Sequence, residues 1–143
     1  MLKVELQGRE HLPRSVTAEH FIEAARVLSR MLGVYGRIIL RVRNNETGMF
    51  AATDRHHCRY RTVDFYMPNI RGERCAIRDM MAICLAHELI HASQDCRGSS
   101  DLPPEVEEHE ALALEKVYGP VAIDIIKHGK LTRESVKKKG KRK

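Results

Sequence analysis

Met80-Met81-Ala82-Ile83-Cys84-Leu85-Ala86-His87-Glu88-Leu89-Ile90-His91-Ala92 is apolar nearly all the way round a helix, yet it carries an HExxH run at His87, Glu88 and His91. Apolar residues on every side are the mark of a helix through the middle of a core, and the pattern predicts one over about 76–94. Positions four apart return to one helix face, so the two imidazoles can share one metal ion, with Glu88 beside its open side. Two histidines and a glutamate buried there without partners would be unfavourable by several kcal/mol. A metal ion would offset that.

A zinc site that does chemistry takes three protein ligands and keeps a fourth position for water, so a further ligand is expected on another element. Pro103-Pro104 signal a helix start, and residues 105–118 read as a helix closed by Gly119-Pro120. At about 100° per residue, Val106, Ala111, Ala113, Leu114, Val117 and Tyr118 share one broad arc, with Glu110 near its centre and Glu107 farther out. Glu108 and Glu115 fall on the opposite, solvated side. A carboxylate in the middle of a core-facing stripe needs a partner. Glu110 is therefore the expected third ligand, with Glu107 as the alternative.

His87-Glu88-x-x-His91 followed by Glu110-Ala111 on a second helix resembles the gluzincin zinc metallopeptidases, and the small size resembles the minigluzincins. More locally, His87-Glu88-Leu89-Ile90-His91-Ala92 with Cys96-Arg97 is similar to the mitochondrial ATP-synthase-processing metallopeptidase family, whose third ligand lies in a Glu-x-x-Ala context that Glu110-x-x-Ala113 matches. The likeness covers about 76–117. Asp95 stands one place later than that family's Asp, the linker to the glutamate is shorter, and most of the family's cysteines are absent. The resemblance implies metal ligation by His87, His91 and Glu110 and a zincin-like catalytic core.

The expected chemistry is hydrolysis of a peptide bond. Zn2+ at His87, His91 and Glu110 would acidify water and polarise the scissile carbonyl, and Glu88 would act as general base and then return the proton to the leaving amine. Tyr118, His109 and Arg97 are candidates to stabilise the oxyanion, though each also reads as an ordinary helix-end or surface residue. Asp95, one turn after His91, either holds that imidazole by its other nitrogen or helps to end the helix. Cys84 lies one turn before His87 and reads as core packing.

With 143 residues, 43% of them hydrophobic, the chain is expected to form one domain over 1–136. Four cysteines without a CxxC spacing indicate neither a zinc ribbon nor a disulfide scaffold. No apolar run reaches membrane-spanning length and the start lacks a signal-peptide stretch, so a cytoplasmic protein with no membrane partner is expected. The formal charge of +6 equals that of the tail Lys137 to Lys143, which leaves residues 1–136 neutral overall. Such a tail reads as disordered, and it supports an alternative in which a non-catalytic zincin fold serves as a regulatory or nucleic-acid-binding module. The intact Glu88 favours the enzyme, with a peptide or protein as substrate.

The remaining chain reads as an α+β support: a helix from Thr17 to about Leu32 closed by Gly33, a strand at 37–43, further strands at 49–53 and 60–67, then the two site helices. The sheet is expected to be small and mostly antiparallel. Residues 59–66, alternating Tyr60, Thr62, Asp64 and Tyr66 against Arg61, Val63 and Phe65, read as an edge strand able to bind a peptide. His56-His57-Cys58 reads as a loop, with no ligand partners at useful spacing.

Overall fold

The structure, a computed structural model, describes residues 1–45, 47–57, 59–72, 76–97 and 102–132. The tail Lys137 to Lys143 lies outside the described residues, as do Cys58 and the side chains of His56 and His57. The fold is mixed α/β. In chain order the elements are β1 (Leu2–Gln7), a 3-10 turn (Arg9–His11), α1 (Ala18–Leu32), β2 (Gly36–Arg43), β3 (Ala51–His57), β4 (Tyr60–Tyr66), α2 (Met67–Arg71), α3 (Ile77–Cys96) and α4 (Pro104–His128).

Helix α1 starts after Thr17 and ends at Gly33, whose φ of 75° is the left-handed conformation glycine adopts without strain. Its buried stripe of Phe21, Ala24, Ala25 and Leu28 packs on the sheet, where Phe21 meets Phe65 edge-to-face with ring centroids 5.1 Å apart. The chain crosses over α1 between β1 and β2, which makes those strands parallel neighbours.

The sheet order is β1-β2-β4-β3. β1 pairs parallel with β2 and β2 with β4, and only β3 and β4 run antiparallel. The sheet is thus mixed, not mostly antiparallel as the sequence suggested. The strict alternation of Leu2-Lys3-Val4-Glu5-Leu6-Gln7 is the strand signal that supplies the extra parallel pair. The edge expectation also changes: β4 is interior, and β3 is the outer strand beside α3. On the helix-facing side, register groups Val4 and Leu6 with Ile38, Leu40 and Val42 and with Val63 and Phe65. On the other side Arg37 binds Glu5, and both Arg41 and Arg43 bind Asp64.

Helix α3 buries Met81, Leu85, Leu89 and Ile90 at 0% exposure, which is why its hydrophobic residues show no single stripe. Its C-terminal end is tied to the sheet by Arg61, fully buried, which donates to the Ala92 carbonyl and lies 3.8 Å from Asp95. Helix α4 runs straight through Gly119-Pro120, where the sequence predicted a stop, and ends at Gly129. Proline inside a helix is unfavourable by about 3 kcal/mol, but Val121, Ala122, Ile125 and Ile126 beyond it are buried, and each large apolar side chain returns roughly 1.5–3 kcal/mol. Gly119 helps: without a Cβ it escapes the clash that proline imposes on the preceding residue. It also passes close to α3, a Cβ there lying 3.8 Å from Ile83.

Candidate metal centre

His87 and His91, one turn apart on α3, bring their Nε2 atoms within 3.2 Å of each other. Glu108 on α4 closes the triangle: one carboxylate oxygen lies 3.0 Å from His87 Nε2 and the other 3.1 Å from His91 Nε2. These three are a group whose ligand atoms all lie within 4.8 Å of one another. Bonds of about 2.0–2.1 Å in a tetrahedral zinc site separate neighbouring donors by roughly 3.3 Å, so the spacing suits that ion.

The hydrogen bonds around the imidazoles test whether a cation belongs there. His87 Nδ1 faces a Glu115 oxygen at 3.0 Å, and a carboxylate only accepts. His91 Nδ1 faces Gln94 Oε1 at 2.8 Å, while the Gln94 amide nitrogen donates to the Glu107 carbonyl and to Glu110. Both Nδ1 atoms therefore carry the proton, and both Nε2 lone pairs turn toward Glu108. With neutral imidazoles, three electron-pair donors converge there. The donor set fits a metal ion, and the outer partners fix each ring's tautomer as ligating histidines require.

The third position differs from the sequence expectation. Glu110 does not reach the histidines: Arg97 binds it at 2.6 Å and Gln94 at 3.1 Å. The Arg97 guanidinium, with the Gln94 amide, holds its carboxyl below the usual carboxylate range. Glu107, the alternative, is absent from the triangle and lines a polar recess with Thr53, Asp54, Glu88, His91 and Asp95. The reason lies in the true length of α4. Ala111, Tyr118, Gly119, Ala122, Ile125 and Ile126 form one stripe at about 100° per residue, and both Glu108 and Glu115 fall on it. Cutting the helix at Gly119 hid the lower half of that stripe and shifted the inferred arc toward Val106 and Val117, which are exposed at 46% and 39%.

Glu88 stands where the sequence put it, beside the imidazoles and 8% exposed. Thr53 on β3 donates to its Oε1 at 2.7 Å, which fixes the carboxylate against the sheet edge. Asp95 serves Arg61, and the imidazole of His91 is held by Gln94 instead. None of the oxyanion candidates lines the adjoining cleft: Arg97 is paired with Glu110, and neither His109 nor Tyr118 borders it. That cleft, about 630 Å³, is bounded by Met49, Phe50, Met80, Ile83 and Cys84 beside the histidines. Cys84 is buried, 6% exposed.

Thr53, Gln94, Glu108 and Glu115 are the site residues that sequence reading missed. Glu108 and Glu115 were findable from the seven-residue spacing on the extended α4 stripe. Gln94 was findable from its place three residues after His91, within reach on a helix. Thr53 carried no local signal, because its role depends on which strand forms the sheet edge. Searches against protein-family models, curated proteins and solved structures find no match to this chain. Among the described residues, no helix is long and apolar enough to cross a membrane.

Proposed function

We propose that this protein is a zinc-dependent metallopeptidase with a zincin-like, gluzincin-type core, its metal held by His87, His91 and Glu108. The observation that carries the reading is the convergence of two Nε2 lone pairs and a carboxylate beside a buried, strand-anchored Glu88. A purely structural zinc site is usually closed by four protein ligands and has no use for such a base. Zinc bound there would supply Lewis acidity and lower the pKa of water toward neutrality.

The chain's own residues do the rest. Thr53 occupies Glu88 Oε1, so Glu88 takes the proton of the attacking water on Oε2 and passes it to the leaving nitrogen as the carbon–nitrogen bond breaks. Burial helps by keeping that carboxylate from competing water. Glu115 and Gln94 hold the imidazoles in one tautomer throughout, so no proton has to move at the ligands. The cleft beside the triad and the open edge of β3 admit an extended chain.

Protein purified without chelator should contain one zinc per chain by elemental analysis, and it should hydrolyse an unstructured protein in a reaction that chelator stops and added zinc restores. Absence of metal, or hydrolysis indifferent to chelator, would remove the reading.

A further inference from the structure

The core takes Val4, Leu6, Ile38, Leu40, Val63 and Phe65 from one face of the sheet and, among the described residues, none of those that alternate with them along β1, β2 and β4. Alternation sends the latter to the opposite face, away from α3 and the metal centre. There Glu5 lies 3.7 Å from Lys3 and 2.7 Å from Arg37, and Asp64 lies 2.7 Å from Arg41 and 2.9 Å from Arg43. Each carboxylate meets two cations, so each group keeps a positive charge. The charges are also layered. The Asp64 side chain is 8% exposed against 41% for Arg43, and that of Glu5 32% against 53% for Arg37. An anion arriving from solvent meets guanidinium first.

Aromatic rings stand at both ends of this arginine row. Register sets Arg37 beside Tyr60 and Arg43 beside Tyr66, and the Arg37 guanidinium carbon lies 5.7 Å from the centre of the Tyr60 ring. The two Arg–Tyr pairs are six residues apart along the strands, about 20 Å. Beyond each pair the surface falls into a hollow. The one at the Arg37 end, about 490 Å³, is bordered by Lys3, Tyr35 and Arg59, and among the described residues no carboxylate lines it. The one at the other end, about 390 Å³, is bordered by Arg41, Arg43 and His11, with Glu10 as its only acid among the described residues.

We infer that this face binds single-stranded nucleic acid laid along β2, with its phosphates on the arginine row and its bases stacked on the two Arg–Tyr pairs. Guanidinium groups match phosphate oxygens and stack on aromatic planes, and a single strand leaves its bases free to do the same. A duplex hides its bases, so it would gain the phosphate contacts alone. An acidic protein segment would likewise use the cations and leave the tyrosines idle, which is why the arrangement favours a nucleic acid. The face and the metal centre lie on opposite sides of the sheet, so the inference goes beyond the metallopeptidase reading and stands or falls without it.

The test is fluorescence anisotropy with the full chain, labelled oligo-dT and oligo-U of roughly 12 nucleotides, and a duplex of equal length, each over a salt series. At least one single strand should bind about tenfold or more tighter than the duplex, and the ratio of oligo-dT to oligo-U tells DNA from RNA. The double variant Arg37→Gln with Arg43→Gln leaves Lys3 on Glu5 and both Arg41 bonds on Asp64, so it should fold, as circular dichroism would verify. Its plot of log affinity against log salt should be shallower by about 1.4, the equivalent of two phosphate contacts on a single strand. Tyr60→Leu should weaken binding about five- to hundredfold with the slope unchanged, while Tyr60→Phe retains it. Deleting Lys137 to Lys143 should weaken single strand and duplex alike, because that segment is charge without an aromatic ring. The inference is overturned if neither oligonucleotide binds, if the duplex binds as tightly, or if Tyr60→Leu matches the wild type. A slope unmoved in the double variant, with all loss confined to the deletion, also overturns it. So does competition by polyglutamate as effective as that of an oligonucleotide of equal charge, which would mark the face as a seat for acidic protein.

Discussion

Removal of the Glu108 carboxylate separates the candidate ligand set that the structure brings together from the one expected on sequence. In the Glu108→Ala variant, His87 and His91 keep their outer partners Glu115 and Gln94, but the anion contacting both Nε2 atoms at 3.0 and 3.1 Å is gone. Zinc held by four ligands in a folded site is worth about 10–16 kcal/mol, or roughly 2.5–4 kcal/mol per ligand, so affinity should fall by about two to three orders of magnitude. In the Glu110→Ala variant the loss is an ion pair with Arg97 and one hydrogen bond to Gln94, two steps from the metal through His91. Affinity there should fall by less than about tenfold, because direct outer partners of a ligand already account for only 10–100-fold. Competition against a chromophoric chelator, with circular dichroism to confirm folding, measures both. If Glu110→Ala loses the metal and Glu108→Ala keeps it, the reasoning is refuted, because the two positions lie about 160° apart around α4 and no small adjustment exchanges them.

Gln94→Leu should keep the fold but weaken zinc about 10–100-fold, read by the same competition, since His91 loses the acceptor that fixes its tautomer. Thr53→Val should retain zinc and lower kcat about tenfold with little change in KM, because it frees the Glu88 carboxylate without touching a ligand. Ile125→Ala, at a site with 0% exposure, should destabilise the protein by about 2–5 kcal/mol in denaturant titration, which would be out of reach if α4 ended at Gly119. The Glu110 carboxyl is held below its ordinary range in the folded state, so its contribution is fully present above the usual carboxylate pKa and is lost as pH falls through the lowered folded value. The stability gap between wild type and Glu110→Gln should therefore be seen at neutral pH and close in acid, and at half-exposed Arg97 and Glu110 it should not exceed about 1 kcal/mol.

Much of this architecture was legible in the chain because burial writes itself into periodicity. α1 with Gly33, the strand at 37–43 and helix α3 are each specified by local pattern and end signals. The errors arose where long-range packing overrides a local rule. Pro120 reads as a terminator by propensity, yet the buried residues beyond it carry the helix onward, and with them the identity of the glutamate that meets the histidines. The strand order depends on a crossover through α1 that pairs β1 with β2, so the edge position of β3, and hence the part played by Thr53, could not be read from residues 51–57 alone. Glu88 was readable because its place is fixed by its neighbour in sequence. Glu108 depended on the phase of a second helix.

The proposal that this centre does chemistry is tested most directly by Glu88→Gln, assayed for zinc content and for hydrolysis of an unstructured protein in the same preparation. The amide keeps the size of the carboxylate and can still accept from Thr53, but it cannot take a proton from water. The expected result is a full complement of zinc with hydrolysis reduced by roughly two to four orders of magnitude. Hydrolysis undiminished in the zinc-loaded variant would contradict the account.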